Sequence, residues 1–524
     1  MINSRAMVQR NTAQVESLPA PVGGWNARDS YANMDPMDAI TLVNMFPTVS
    51  NVVLRGGYTQ HCTGLDGEVQ SLMNYSGGAT SKLFAVTSTG KIYDVTSGGA
   101  VGAPVVTGLT SGITAHTNIT TAGGSYLFVV NGVDAGRVYD GSTWATVGTT
   151  APTVPYIAGV NSNTLSNVVL FKNRLWFFQK DTLKAWYLPT NAISGTAVAF
   201  DLSAIARDGG HLVDFDAWTI DAGYGVDDNL AFATSNGELI VYAGTDPASA
   251  STWALIGVWK LGSPIGDRSM LKWAGDLLIL TYDGLLPMAA SLQSSRLDPR
   301  VALSNKIQGA ITAATTAYGG THASVGWQVF YNAKNNALWI NVPVGSGTQE
   351  QYVMNTITKS WCQFTGWAAN VWETYNDNAY FGGDGFVGKA WDTSSYSDNG
   401  SNIATNILQA FNYFGSRGVK KYFTRARPSV FSNGQPATLV GVNVDFDVSD
   451  NTGALTFTPT SYANWDTSLW DVGLWGTDTV ITNTWLGITG IGYCASIQFK
   501  TASIGLQIEW ASTDIVYQAG WAGV

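Results

Sequence analysis

Leu83-Phe84-Ala85-Val86, a turn at Ser88-Thr89-Gly90, then Ile92-Tyr93: this stretch reads as a β-hairpin, an apolar run and its return joined by a polar turn that holds Gly. The signature comes back six more times. Leu127-Phe128-Val129-Val130 turns through Asn131 to Gly136 into Val138-Tyr139, Leu175-Trp176-Phe177-Phe178 turns near Asp181, and Leu230-Ala231-Phe232-Ala233 turns at Asn236-Gly237. Leu277-Leu278-Ile279-Leu280 turns at Asp283-Gly284, Val329-Phe330-Tyr331 at Asn335-Asn336, and Tyr380-Phe381 at Asp384-Gly385. Successive turns lie roughly 46 to 55 residues apart, close to the period of a β-propeller blade. Residues 68–399 are therefore expected to form a seven-bladed β-propeller in an all-β chain.

Two alternating strands joined by a turn cannot bury both faces alone. Each hairpin must stack on the next, and closing the ring leaves only short protected edges. Between the turns the chain is rich in Thr, Ser, Gly and aromatics and lacks the 3.6-residue apolar rhythm of crossover helices, which argues against a parallel βαβ architecture. The competing arrangement is a set of unrelated hairpins in two or three sandwiches.

Composition narrows the function classes. Of 524 residues 58 are Gly and 20 are Trp, with only 12% charged, as suits tight turns and aromatic packing. Lys+Arg number 27 against 37 Asp+Glu, a formal net charge of -10, and this argues against a broad grip on phosphates, which relies on cations displacing condensed counterions. Cys62, Cys362 and Cys494 are odd in number and far apart, which is no disulfide framework and points to buried free thiols and assembly in a reducing cytoplasm. Met1 to Arg10 has no apolar h-region and no run of eighteen apolar residues occurs, so neither a signal peptide nor a membrane-spanning segment is expected.

Residues 1–67 read as an N-terminal arm and a short helix. The first twenty or so are polar and unpatterned, the character of an arm that orders on a partner. Asp35 as N-cap, Pro36 at the first helical position, and Ile40 and Leu42 before Pro47 predict a helix of about ten residues. Past residue 399 the composition shifts. No Asp or Glu occurs between Asn399 and Val444, while Arg417, Lys420, Lys421, Arg425 and Arg427 fall within eleven residues. Alternating runs at Leu439 to Val448, Ser496 to Lys500 and Leu506 to Tyr517 predict a C-terminal β-sandwich over 400–524.

No Walker A loop, G-x-S-x-G elbow or H-E-x-x-H motif is present, and His61, His116, His211 and His322 are scattered without zinc-site spacing. No catalytic residue, metal ligand or cofactor is expected. The densest acidic cluster, Asp214, Asp216, Asp221, Asp227 and Asp228, alternates with Phe215, Trp218 and Tyr224. Paired carboxylates beside aromatics could serve a glycosidase and oxygen-rich loops suit calcium, yet Asp is also a natural turn former at a blade connection. Asp140-Gly141-Ser142-Thr143-Trp144 resembles the Asp-box turn of sialidase-type propellers but lacks the Ser two positions before Asp, and reads as a hairpin turn capped by Trp. Trp465, Trp470 and Trp475 recur every five residues, which fits no single face of a strand or helix and so predicts a loop. They are candidates for packing between sheet and loop, for a protein interface, or for sugar stacking. Arg417, Lys420, Lys421, Arg425 and Arg427 are candidates for adaptor or DNA contact, against a solvated or salt-bridged face.

Several segments resemble a known family. They are Gly23-Gly24-Trp25-Asn26-Ala27-Arg28-Asp29 with Asp35-Pro36-Met37-Asp38-Ala39, Asn44-Met45-Phe46-Pro47 leading to Arg55-Gly56-Gly57-Tyr58, and Asn355 to Trp367 followed by Tyr380-Phe381-Gly382-Gly383-Asp384-Gly385. Together they look like the tail nozzle, or packaged-DNA-stabilisation (tail tubular), proteins of short-tailed bacteriophages. The resemblance implies a late structural virion protein, not an enzyme, assembled in the host cytoplasm as a sixfold homo-oligomeric ring below the portal and adaptor. It implies tail fibre or needle proteins as further partners, and double-stranded DNA passing without sequence specificity. An acidic wall suits that role, because firm Lys or Arg contacts would add friction and salt-dependent affinity. A receptor- or glycan-binding tail module using the Trp465 to Trp475 loop, and a propeller hydrolase or lyase using the Asp214 to Asp228 cluster, are the other classes.

Overall fold

The computed structural model describes residues 12–78, 80–151, 155–221, 226–291, 299–320, 325–345, 347–450, 452, 460–461 and 480–520. Strands dominate it. It divides into two compact units that are not consecutive in sequence: Thr59–Tyr352 with Trp367–Ala390, and Met1–Tyr58 with Val353–Gly366 and Trp391–Val524.

The larger unit is a β-propeller. All seven expected hairpins are present, and successive antiparallel sheets follow one another along the chain. One holds Ala115–Thr121, Gly124–Val130, Arg137–Tyr139 and Trp144–Thr146; the next holds Leu165–Phe171, Arg174–Gln179, Lys184–Tyr187 and Val198–Asp201. Leu212–Asp221 to Trp253–Lys260 and Met270–Trp273 to Gly284–Pro287 continue the series. Period-two alternation explains the stacking. Leu127 and Val129 pack back onto Phe84 and Ile92 of the preceding sheet, while Phe128 and Val130 pack forward onto Leu175 and Phe177. Trp176 and Phe178, out of phase with Phe177, meet Phe215, Phe232 and Tyr242 of the sheet beyond. These sheets thus share one apolar face with each neighbour.

Closure is made by a single strand. Gly57–Ser76 pairs through residues 69–76 with Ser81–Thr87, and it also lies beside Asp384–Asp392, so the first sheet and the last are one ladder. Val371, Tyr380 and Val387 pack there against Val69, Leu72 and Leu83. In the first hairpin turn Gly90 sits at φ 75°, and a Cβ on it would lie 1.8 Å from the Leu109 carbonyl oxygen, so only Gly fits.

Three sequence expectations fail here. The stretch after Asp35 is not a helix. Asp35 Oδ1 accepts from the Met37 amide at 2.8 Å, a local turn, and Asp38–Val43 is a strand, parallel to Gly24–Trp25 and antiparallel to Asn406–Gln409. The β-branched Ile40, Thr41 and Val43 suit that pleat, and two flanking strands outweigh the capping signal. Conversely Gln308–Tyr318 is an unforeseen helix: no side chain caps its start, and only Ile311, Ala314 and Thr315 are buried, so the signals of a helix are weak there. Of the expected polar arm, residues 1–11 lie outside the described residues, and residues 14–19 do not wait for another molecule. Gln14–Pro19 pairs with Ile508–Ala519, Gln14 opposite Tyr517 and Pro19 opposite Ser512, through backbone groups that a polarity pattern does not reveal.

The smaller unit is built from two sheets, one centred on Lys421–Ser432 and Ile508–Ala519, the other including Asp38–Val43, Asn406–Gln409, Ala437–Val444 and Ala495–Ser503. At its heart lies Arg55, 1% exposed. Its guanidinium donates to Asn44 Oδ1 at 2.9 Å, the Gly56 and Thr365 carbonyls, and both oxygens of Asp398. Asn44, at φ 59°, in turn donates to Thr365 Oγ1 and the Ala404 carbonyl and accepts from the Thr365 amide. Gly24 presses on the Trp361 backbone, where a Cβ would lie 2.6 Å from the carbonyl oxygen. Breaking a buried pair strands the other charge, at about 3–5 kcal/mol. Arg55→Met should therefore lower stability in chemical denaturation by roughly that amount, far more than Arg28→Met on the half-exposed Arg28–Asp29 pair.

Candidate functional site

Seven strand segments of the larger unit line one cavity of about 990 Å³. They contribute Leu72 and residues 115–118, 166–170, 212–216, 270–272, 328–331 and 371–374. Inner strands converge there, and their side chains that point away from the inter-sheet cores must face one another or water. The lining includes the ionisable side chains of His116, Asp214, Asp216, Lys272 and Glu373, with Arg268 just before the 270–272 segment.

Asp214 organises this interior. Oδ2 accepts from the Ser269 amide and hydroxyl and the Met270 amide, and Oδ1 from Asn167 Nδ2 and the Phe215 amide, at 2.9–3.1 Å. The carboxyl thereby ties three consecutive sheets. Burial, with the Asp216 charge adding to it, raises its pKa to about 7 against the Met270, Ser269 and Phe215 donors. Asp216 is also raised by burial, opposed by Lys272 Nζ at 2.7 Å. Arg268, beside Ser269, donates to Ser71 Oγ at 2.8 Å and the Gln70 carbonyl at 3.1 Å. Glu373 is raised by burial to about 7, and His116, 3.6 Å from it, is lowered by burial and by Arg268 to about 4.

A general acid or nucleophile needs a lone pair or proton aimed at substrate, whereas both Asp214 oxygens are already engaged by the chain. The acidic cluster is also divided: Asp228 leaves the cavity to pair with Lys172 at 2.5 Å, and the side chains of Asp221 and Asp227 lie outside the described residues. Among the described residues no three His, Cys, Asp or Glu side chains come together to hold a metal. Asp140 caps its own turn through the Ser142 and Thr143 amides, and Trp144 packs edge-on against Phe84 at 5.1 Å. The three cysteines are free and buried.

The basic stretch lies in the smaller unit, and its members part company. Lys421 is buried and donates to the Ser416 and Tyr493 carbonyls, and burial lowers its pKa. Arg427 bonds Asp514, its partner across the ladder, and lies over the Trp485 ring at 4.8 Å. Arg417, Lys420 and Arg425 are exposed. Trp465, Trp470 and Trp475 lie outside the described residues. Sequence reasoning missed His116, Arg268, Lys272 and Glu373 as a group. Their common signal is position, on or just before the strand that precedes a hairpin, which isolated motifs do not expose.

No family model matches the chain, and no curated protein sequence matches it. Solved structures with a related fold include the β-propeller domain of Myceliophteria thermophila Cps50 (Swd1), 14% identical with a TM-score of 0.40 over 64% of this chain and 100% of that one. YCF48 bound to a D1 peptide is 10% identical, with a TM-score of 0.37 over 64% and 95%. BBS1N in complex with ARL6DN is 15% identical, with a TM-score of 0.29 over 42% of this chain and 65% of that chain's length.

The cavity makes stability depend on pH with a determined sign. Between about pH 4 and 7 the folded chain keeps protons on Asp214 and Glu373 that the unfolded chain has released, so their contribution falls as pH rises. His116 acts oppositely between about 4 and 6.5, one imidazole against two carboxyls. Asp140 and Asp450, held at about 2 by hydrogen bonds, contribute stability that is lost only below that window. Denaturation midpoints should therefore fall from pH 5 to pH 7, and Asp214→Asn with Glu373→Gln should flatten the slope. Asp214→Asn alone should cost about 1–3 kcal/mol for each donor left without an acceptor.

Proposed function

We propose that the chain is a structural virion protein of a short-tailed bacteriophage, a tail nozzle subunit that helps wall the DNA ejection channel and retain packaged DNA, and not an enzyme. One observation carries the reading. The segments on which the resemblance rests, apart from Tyr380 to Gly385 in the larger unit, meet in one buried network of the smaller unit. Asn26 Nδ2 donates to Asp38 Oδ2 at 2.8 Å, the Asn44 amide to the Gln363 carbonyl, Asn355 Nδ2 to the Pro47 carbonyl, and Ser360 Oγ to the Val22 carbonyl, around Arg55 and Asp398. Residues that face one another in a buried scaffold are what a shared architecture requires, and they leave no reactive group aimed outward.

Each of the seven segments lining the cavity marks, on this reading, the inner strand of a blade, and the ring has seven. The two sheets of the smaller unit, with Phe499 stacked on Trp510 at 4.6 Å, make up the C-terminal sandwich together with N-terminal strands. The propeller cavity is lined by the Asp216–Lys272 and His116–Glu373 pairs, and on this reading it belongs to the wall and is not the conduit. The conduit is then formed between subunits of a ring, sixfold as the resemblance implies, with portal or adaptor above and fibre or needle proteins below. A net charge of -10 keeps its wall from gripping phosphate.

Particles assembled without the chain should package DNA and then lose it to nuclease, while complementation restores retention. The isolated full chain should show no measurable duplex binding at physiological salt. Particles that keep their DNA without the chain, or tight duplex binding with a steep salt dependence, would overturn the reading.

A further inference from the structure

Two of the five clustered cations are spent within the chain, Lys421 on carbonyls and Arg427 on Asp514. The other three, Arg417, Lys420 and Arg425, are exposed on the smaller unit, and the first two lie against aromatic rings. The Arg417 guanidinium lies 4.5 Å from the centre of the Tyr413 ring, and Lys420 Nζ lies 5.5 Å from that of Tyr493. Tyr413 meets Phe446 at 6.4 Å. In the ladder between Lys421–Ser432 and Leu486–Gly492, Tyr422 stands opposite Ile491, so Ile491 and Tyr493, two residues apart, emerge on one face. They are 40% and 41% exposed, and Phe446 36%. Asp445, beside Phe446, is turned onto the Tyr493 and Cys494 amides.

Composition selects the class of partner. A phosphate backbone rewards cations and gains nothing from exposed Ile491, Tyr493 and Phe446, whereas Arg and Tyr beside aliphatic surface are characteristic of the anchoring centre of a protein interface. Charge selects the protein. The chain is net negative at -10 with this patch included, so the remaining surface of another copy is more acidic still and complements it. We propose that the Arg417–Lys420–Arg425 patch, with Tyr493 and Ile491, is the surface through which the chain binds a second copy of itself, head to tail. A two-fold contact centred on the patch would set these cations against their own counterparts. The patch therefore meets a different, acidic face of the next copy, and such heterologous contacts close into rings or run on as filaments. The inference rests on the ring reading above and supplies one of its two contact surfaces.

Sedimentation velocity of the full chain at about 0.15 M salt tests it. The wild type should assemble as its concentration rises, and Arg417→Glu/Lys420→Glu/Arg425→Glu should weaken assembly on the order of tenfold or more with an unchanged thermal melt. Ile491→Ser/Tyr493→Ser should weaken it too, which guards against a reversal variant that fails to fold. In mixtures the charge-reversed copy still offers its acidic face, so it should cap wild-type oligomers and shorten them. Assembly unaffected by either variant would overturn the surface assignment while leaving the ring reading intact. A wild type monomeric at every concentration, or a reversal that abolishes duplex binding and spares assembly, would overturn it as well; the channel-wall reading is judged separately, by DNA retention in particles.

Discussion

The larger unit depends on the strand Gly57–Ser76 belonging to two sheets at once. Half-buried sheets that share faces have no natural end: every one leaves an apolar face for the next, and a linear stack would expose two. Pairing the first strand of the ring with Asp384–Asp392 removes both ends together, and Val69, Leu72, Val371 and Val387 fill the seam. The alternation seen in Trp176, Phe177 and Phe178 is the local form of the same constraint, since a strand inside a ring has no solvent side.

Closure also dictates what the middle contains. Inner strands approach one another there, and polar side chains that turn away from the inter-sheet cores lose water without gaining apolar neighbours. Burial then raises the carboxyls and lowers the imidazole, and only hydrogen bonds from neighbouring sheets offset it. Asp214 shows the outcome: a carboxyl whose donors come from three sheets stabilises their order along the ring as much as its own charge. Perturbed titration at this cavity is thus a property of assembly, although such perturbation elsewhere marks chemistry.

What was legible in the sequence follows from this physics. Hairpins such as Leu83 to Tyr93 were readable because both strands are apolar and the turn needs Gly90. The inner strands were not, because Asp214, Asp216 and Glu373 interrupt their alternation with charges that look like turn residues until the ring brings them together. Asp35-Pro36 carried a sound capping signal that two neighbouring strands overrode, and Gln14–Pro19 was invisible because its order comes from the backbone ladder with Ile508–Ala519. Arg55 was quoted in a motif, yet its burial against Asp398 joins residues 343 apart, a pairing no local pattern contains.

The distribution of cations joins these threads. In a chain this poor in Lys and Arg, the fold ties several of them to in-chain partners: Arg55 at the heart of the smaller unit, Arg268 in the cavity wall, and Lys421 at its strand end. Burying a cation without such partners would cost several kcal/mol, so their sites are set by where carbonyls and carboxylates converge. Arg417, Lys420 and Arg425 escape that rule, and they do so together, beside exposed aromatic and aliphatic groups that an isolated subunit gains nothing by leaving in water. A surface that keeps both its charges and its apolar groups unspent is one whose energetic partner lies outside the chain.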